Sequence, residues 1–131
     1  MDDEGARFFG PILVAKDFAR TLGFYRRLLG EGFQGEHPYA RYSVEGSTIS
    51  IVDGRFWSQT NGPELPIQGE SSVGNAVLAI RVPDIEEAFE RLMAAGLKFL
   101  SPPTTRPPLG MRNMFLRDPD GRLVMLTAPM R

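Results

Sequence analysis

Ile12-Leu13-Val14-Ala15-Lys16-Asp17 and Ala79-Ile80-Arg81-Val82-Pro83-Asp84 decide the fold. Each is a short apolar run that ends in an aspartate and leads into a helical pattern, and Asp84 follows Asp17 by 67 positions, about half of the 131-residue chain. A supersecondary unit has been written twice. In the first helical stretch Phe18, Leu22, Tyr25 and Leu29 recur every three or four residues and so share one face; in the second Ile85, Phe89, Leu92 and Ala95 do the same. Asp84 with Glu87 three residues later has capping-box spacing, and Gly30 and Gly96 stand where a residue of positive φ ends a helix.

Beyond each helix the period falls to two. Tyr39 to Val44, a Glu45-Gly46 turn and Ser47 to Val52 read as a hairpin; so do Asn113 to Arg117, the turn Asp118-Pro119-Asp120-Gly121 and Arg122 to Thr127. Extended segments near Gly32-Phe33-Gln34 and Lys98-Phe99-Leu100 are expected to add one strand per half, so each half reads βαβββ. The expected layout is a single domain over 1–131, with one module at about 7–53, a linker at 54–73 and a second module at about 74–128. Within the linker the polar residues connect the halves, while Phe56 and Trp57 are expected to cover something. A proline-rich stretch, Ser101 to Gly110, interrupts the second half.

Composition narrows the function. Fifteen basic and sixteen acidic side chains give a net charge of −1, with no basic stripe of the kind that binds a nucleic-acid backbone. Apolar runs are far too short to span a bilayer. The start Met1-Asp2-Asp3-Glu4 lacks the basic and apolar regions of a secretory signal, and there is no cysteine, so a cytoplasmic protein without disulfides or thiolate chemistry is expected.

Paired βαβββ modules, Phe24-Tyr25 followed by Leu28-Leu29-Gly30, and Asp118-Pro119-Asp120-Gly121 before a final strand together resemble the glyoxalase/bleomycin-resistance/dioxygenase family, the vicinal oxygen chelate proteins. The resemblance runs over almost the whole chain. It implies an α+β fold whose two modules curve a mixed sheet into a cup around a ligand, and it implies a homodimer. Enzymes of the family hold a divalent metal through His, Gln or Glu at four inward strand positions. Carried over motif by motif, those positions are Gly10, Ser50, Val77 and Met125. Glycine and valine offer no donor, a thioether suits soft copper, and a lone hydroxyl binds hard cations weakly, so no metal and no cofactor are expected. Gly10-Pro11-Ile12-Leu13 and Leu109-Gly110-Met111-Arg112 look more like the metal-free bleomycin-resistance branch. Binders of a cationic drug would carry an acidic excess that this chain lacks, which leaves the ligand open.

Strand alternation then assigns faces. With Gly10, Ser50, Val77 and Met125 inward, Ile12, Val14, Thr48, Val52, Arg81, Leu123 and Thr127 share that side, while Leu13, Leu78, Ile80, Val124 and Leu126 face the helices. Arg81 would meet an anionic or oxygen-rich ligand, or pair with a surface acid at the rim. Phe56, Trp57, Tyr42 and Phe115 are candidate aromatic walls, with core packing or a dimer contact as the alternative for each. His37, the one histidine, precedes Pro38 in a turn and reads as a solvated loop residue; no G-x-S-x-G elbow accompanies it. Glu36, His37, Glu45 and Asp53 flank hairpin ends rather than the interior, which disfavours an improvised metal site. Gly30 to Gly35 spells G-x-G-x-x-G but follows a helix instead of opening one, so it reads as a helix stop and loop rather than a dinucleotide site.

The expected function is therefore metal-independent binding of a small molecule, in the manner of sequestration of an antibiotic-like or aromatic ligand. Its site residues are Trp57, Phe56, Tyr42, Arg81, Phe115, Ser50 and Met125; catalytic residues are unassigned. The alternative is a metal-dependent lyase, isomerase or dioxygenase of the same superfamily, and a third is a partner subunit with a filled cavity.

Overall fold

The computed structural model describes residues 9–61 and 77–130. The chain divides into two compact units, residues 1–65 and 66–131. In the first, strand β1 (Ile12–Ala15) leads into helix α1 (Phe18–Leu29), then β2 (Gln34–Glu36), β3 (Tyr39–Val44), β4 (Ser47–Asp53) and helix α2 (Gly54–Asn61). The second has β5 (Leu78–Arg81), α3 (Ile85–Ala94), β6 (Thr104–Arg106), β7 (Met111–Arg117) and β8 (Leu123–Pro129), with one turn of 3-10 helix at Pro107–Leu109. The sheets run β1-β4-β3-β2 and β5-β8-β7-β6; in each the first strand is parallel to the last and the other pairings are antiparallel. The repeat is thus a repeated topology, two four-stranded mixed sheets each carrying a helix, an α+β fold.

Local chemistry starts and stops the helices as the residues demand. Asp17 Oδ1 accepts the Arg20 N–H at 3.1 Å, and Asp84 Oδ1 accepts the Glu87 N–H at 3.1 Å. Only half of the expected capping box forms, because the Glu87 carboxylate turns one helical turn onward to Arg91 Nε, 3.1 Å away. Gly30 closes α1 at φ 102°, its N–H donating to Arg26 O at 2.8 Å. Phe18, Leu22, Tyr25 and Leu28 are buried in the first unit with Leu13, Ala15, Ala40, Ile49 and Ile51 of its sheet; Ile85, Ala88 and Leu92 are buried in the second with Met114, Leu116, Val124 and Leu126. Each such large side chain contributes about 1.5–3 kcal/mol to holding helix on sheet.

Two expectations are corrected. The segment read as the start of a linker is helix α2: Asp53 Oδ2 accepts the N–H groups of Arg55 and Phe56, both at 3.1 Å, and the Asn61 amide donates to Trp57 O at 3.2 Å. Its Gly, Ser, Gln, Thr and Asn content conceals a helix that is set by its cap; the rest of that stretch, 62–76, lies outside the described residues. In the second unit Lys98–Leu100 is not the fourth strand. Phe99 makes one isolated bridge to Leu116, and the ladder resumes as β6, Thr104 opposite Asn113. Pro102 and Pro103 lie between, without N–H groups to donate to a ladder.

Candidate functional site

Register places each candidate on one face of its own sheet. In the first unit the face away from α1 carries three rows across the strands. One is Ile12, Ser50, Arg41 and Gln34; the next is Val14, Val52, Tyr39 and Glu36; Thr48 and Ser43 form a third. Ser50 is 1% exposed, and its Oγ lies 3.3 Å from the Tyr39 hydroxyl. Ser43 and Thr48 share a hydrogen bond of 2.9 Å.

Tyr42 is on the other side. It stands opposite Ile49, its ring lies 5.3 Å from that of Phe33, and its hydroxyl donates to Leu29 O at 3.4 Å. Of the two roles expected for it, an aromatic wall or a packing residue, its place is within the first unit on the helix-facing side, away from the face of Ser50. The Glu45-Gly46 turn already implied this, since a two-residue loop pairs Val44 with Ser47 and hence Tyr42 with Ile49. Tyr39, which the same count puts beside Ser50, is the aromatic that sequence reasoning overlooked.

In the second unit the face away from α3 has a row of Ala79, Met125 and Phe115, and beside it Arg81, Thr127, Asn113 and Thr104. Met125 and Phe115 are half-buried, and Arg81 is exposed. Thr127 Oγ1 donates to Asn113 Oδ1 at 2.8 Å and lies 3.0 Å from Met111 Sδ. Asn113 was not among the sequence candidates; its signal was an asparagine at an inward position of a strand with apolar neighbours. On α2, Phe56 is exposed and Trp57 half-buried, the indole Nε1 being shielded from solvent with no hydrogen-bond partner among the described residues.

The four positions that the family resemblance assigns to metal ligands carry side chains that do not suit one. Gly10 has φ 135°, and a Cβ there would fall 1.7 Å from the Thr48 carbonyl oxygen, so no ligating side chain fits without moving the backbone. Val77, just before β5, is 47% exposed and has no donor atom. The Ser50 hydroxyl is already engaged with Tyr39, and Met125 offers a thioether among Ala79 and Phe115. Among the described residues no three His, Asp or Glu side chains gather as a metal site would need. His37, with a side chain 65% exposed, lies between β2 and β3, its Nε2 3.5 Å from Asp53 Oδ1 and its ring edge-on to Phe18; Glu45 is in the turn at the other end of β3.

Two surface hollows open on the second unit, and neither contains a sequence candidate. One, about 430 Å³, is lined by Asp84, Glu86, Thr105 and Arg112, with Arg112 paired to Glu86. The other, about 560 Å³, is bordered by Phe89, Met93, Phe99 and Leu100. No helix among the described residues is long and apolar enough to cross a membrane.

Comparison with known proteins extends the repeat to a relationship. The family model described as the Glyoxalase/Bleomycin resistance protein/Dioxygenase superfamily matches residues 8–126. The uncharacterized protein YraH of Bacillus subtilis is 25% identical over 116 residues, covering 86% of this chain and 90% of that one. A glyoxalase/bleomycin resistance protein/dioxygenase from Nocardioides superposes with a TM-score of 0.76 at 24% identity, over 99% of this chain and 87% of the other. A lactoylglutathione lyase from Agrobacterium tumefaciens gives 0.70 at 20% identity, over 96% of each chain. At those identities the two structures establish the fold alone.

Proposed function

Since this chain belongs to the glyoxalase/bleomycin resistance protein/dioxygenase superfamily, we propose that it is a member that binds a small, partly aromatic molecule without a metal, in the manner of the bleomycin-resistance branch. One observation carries the reading: the donor set. Glycine without room for a side chain, valine, a serine already hydrogen-bonded to Tyr39, and methionine occupy the four places where a Lewis-acid centre would be held. Such a set supplies neither the charge nor the hard donors that a divalent ion needs.

What remains on the helix-distal faces is binding chemistry. Phe115 and Met125 in one unit, and Tyr39 in the other, offer apolar and aromatic area, with hydroxyls and arginines to orient a ligand. Sequestration by a cytoplasmic homodimer, with the two units acting as one domain, is the form of activity that this chemistry and the family suggest.

The test is elemental analysis of untagged protein after equilibration with manganese, iron, nickel and zinc and exhaustive desalting, followed by ligand screening through quenching of Trp57. Substoichiometric metal with saturable quenching is the expected result. One tightly held metal ion per chain would overturn the reading and put a metal-dependent lyase, isomerase or dioxygenase in its place.

A further inference from the structure

The duplication supplies an internal control for what the fold requires and what it does not. Val14 of β1 corresponds to Arg81 of β5, 67 positions on. In the first unit the row through Val14 continues into Val52, Tyr39 and Glu36. In the second the row through Arg81 continues into Thr127, Asn113 and Thr104. The same topology is therefore built once with two valines and a tyrosine and once with arginine, threonine and asparagine. Folding does not ask for the polar set.

That set is also poorly satisfied from within. Asn113 is 2% exposed, and its Oδ1 accepts from Thr127, which turns its Nδ2 donors away from that hydroxyl; no acceptor among the described residues meets them. The buried side-chain groups without a partner among the described residues are Trp57 Nε1 and Arg112 Nε, so Asn113 Nδ2 is not shut off from solvent and its donors are open to a ligand. Arg81, in the same row, makes no ion pair or hydrogen bond with another described residue. The remaining charges on this face have one sign. Arg106 and Arg117 lie on the same side of β6 and β7 by register, Arg117 donating to Gly121 O at 3.0 Å, and the strand positions of the face include no Asp or Glu. Two residues along each strand, about 7 Å away, the next row is Ala79, Met125 and Phe115, which is apolar.

We infer that the helix-distal face of the second unit recognises a small aromatic or aliphatic acid, its oxyanion held by Arg81 and the Asn113 amide and its apolar body laid on Met125 and Phe115. This rests on the binding function proposed above and adds the chemical class of the ligand. A guanidinium and an amide N–H donate to a carboxylate with geometry that a neutral carboxamide cannot match, because half of the carboxamide's polar edge is itself a donor.

The experiment titrates the full-length protein with matched pairs, benzoate and benzamide, naphthoate and naphthamide, following backbone amide resonances. Each acid is expected to bind at least about tenfold more tightly than its amide, with shifts centred on β5, β7 and β8. Arg81→Val, which installs the residue of the first unit at an exposed position, is expected to abolish the preference by weakening the acids at least about tenfold; Asn113→Leu is expected to reduce it. Equal binding of acid and amide, or a preference that survives Arg81→Val, overturns the assignment of an acidic ligand and leaves the binding function standing. Failure of every pair to bind overturns both.

Discussion

The fully buried carboxylate of Asp118 sits 2.8 Å from the Arg122 guanidinium and accepts the N–H groups of Asp120 and Arg122, each at 2.9 Å. One side chain thus closes the turn between β7 and β8 and fixes the register that places Phe115 opposite Met125 and Asn113 opposite Thr127. Asp118→Ala is expected to cost about 3 kcal/mol, because it strands two N–H donors and leaves Arg122 without its principal acceptor. Urea denaturation measures it. A loss below about 1 kcal/mol would mean that Pro119 and Gly121 hold the turn without the carboxylate.

Gly10 is bound by a different constraint, the closeness of β4. With the Thr48 carbonyl oxygen 1.7 Å from where a Cβ would stand, and φ at 135°, Gly10→Ala is expected to lose about 2–3 kcal/mol or more, seen as a lowered melting temperature. Gly10→His is expected to be destabilised likewise and to gain no metal in elemental analysis. A stable Gly10→His protein that retains zinc would show that the strand can yield.

Asp53 caps α2 through two N–H groups and stands near His37. Asp53→Ala is expected to cost about 1 kcal/mol, with the damage concentrated in α2. Trp57 emission and faster amide hydrogen exchange at residues 55–60 report it. Asp53→Asn, which keeps the accepting oxygen, should retain most of the stability; equal damage from both changes would point to the charge rather than the cap.

Tyr42 packs on the helix-facing side of its sheet, with its hydroxyl on Leu29 O at the long distance of 3.4 Å. Tyr42→Phe is therefore expected to cost less than about 1 kcal/mol and to leave ligand affinity unchanged in the tryptophan-quenching assay. A clear loss of affinity with folding intact would return Tyr42 to the binding surface.

The duplicated βαβββ plan, the Asp84 cap, the glycine that ends α1 and the two hairpin turns were legible in the residues alone. Each depends on interactions within a few positions: a side-chain oxygen three residues from an N–H, a φ that only a turn residue tolerates, a period of two or 3.6. The cap of helix α2 and the turn that sets the face of Tyr42 are local as well and were overlooked, whereas the shift of the fourth strand of the second unit to Thr104–Arg106 was settled by the tertiary structure. So was the line of Arg81, Thr127, Asn113 and Thr104 across four strands. Those features depend on which residue of one strand stands opposite which residue of another, and a slip of one position would send every side chain to the opposite face. Pairing between strands far apart in the chain is won by packing and ladder hydrogen bonds, so the row that most suggests a ligand becomes visible only when the sheet is assembled.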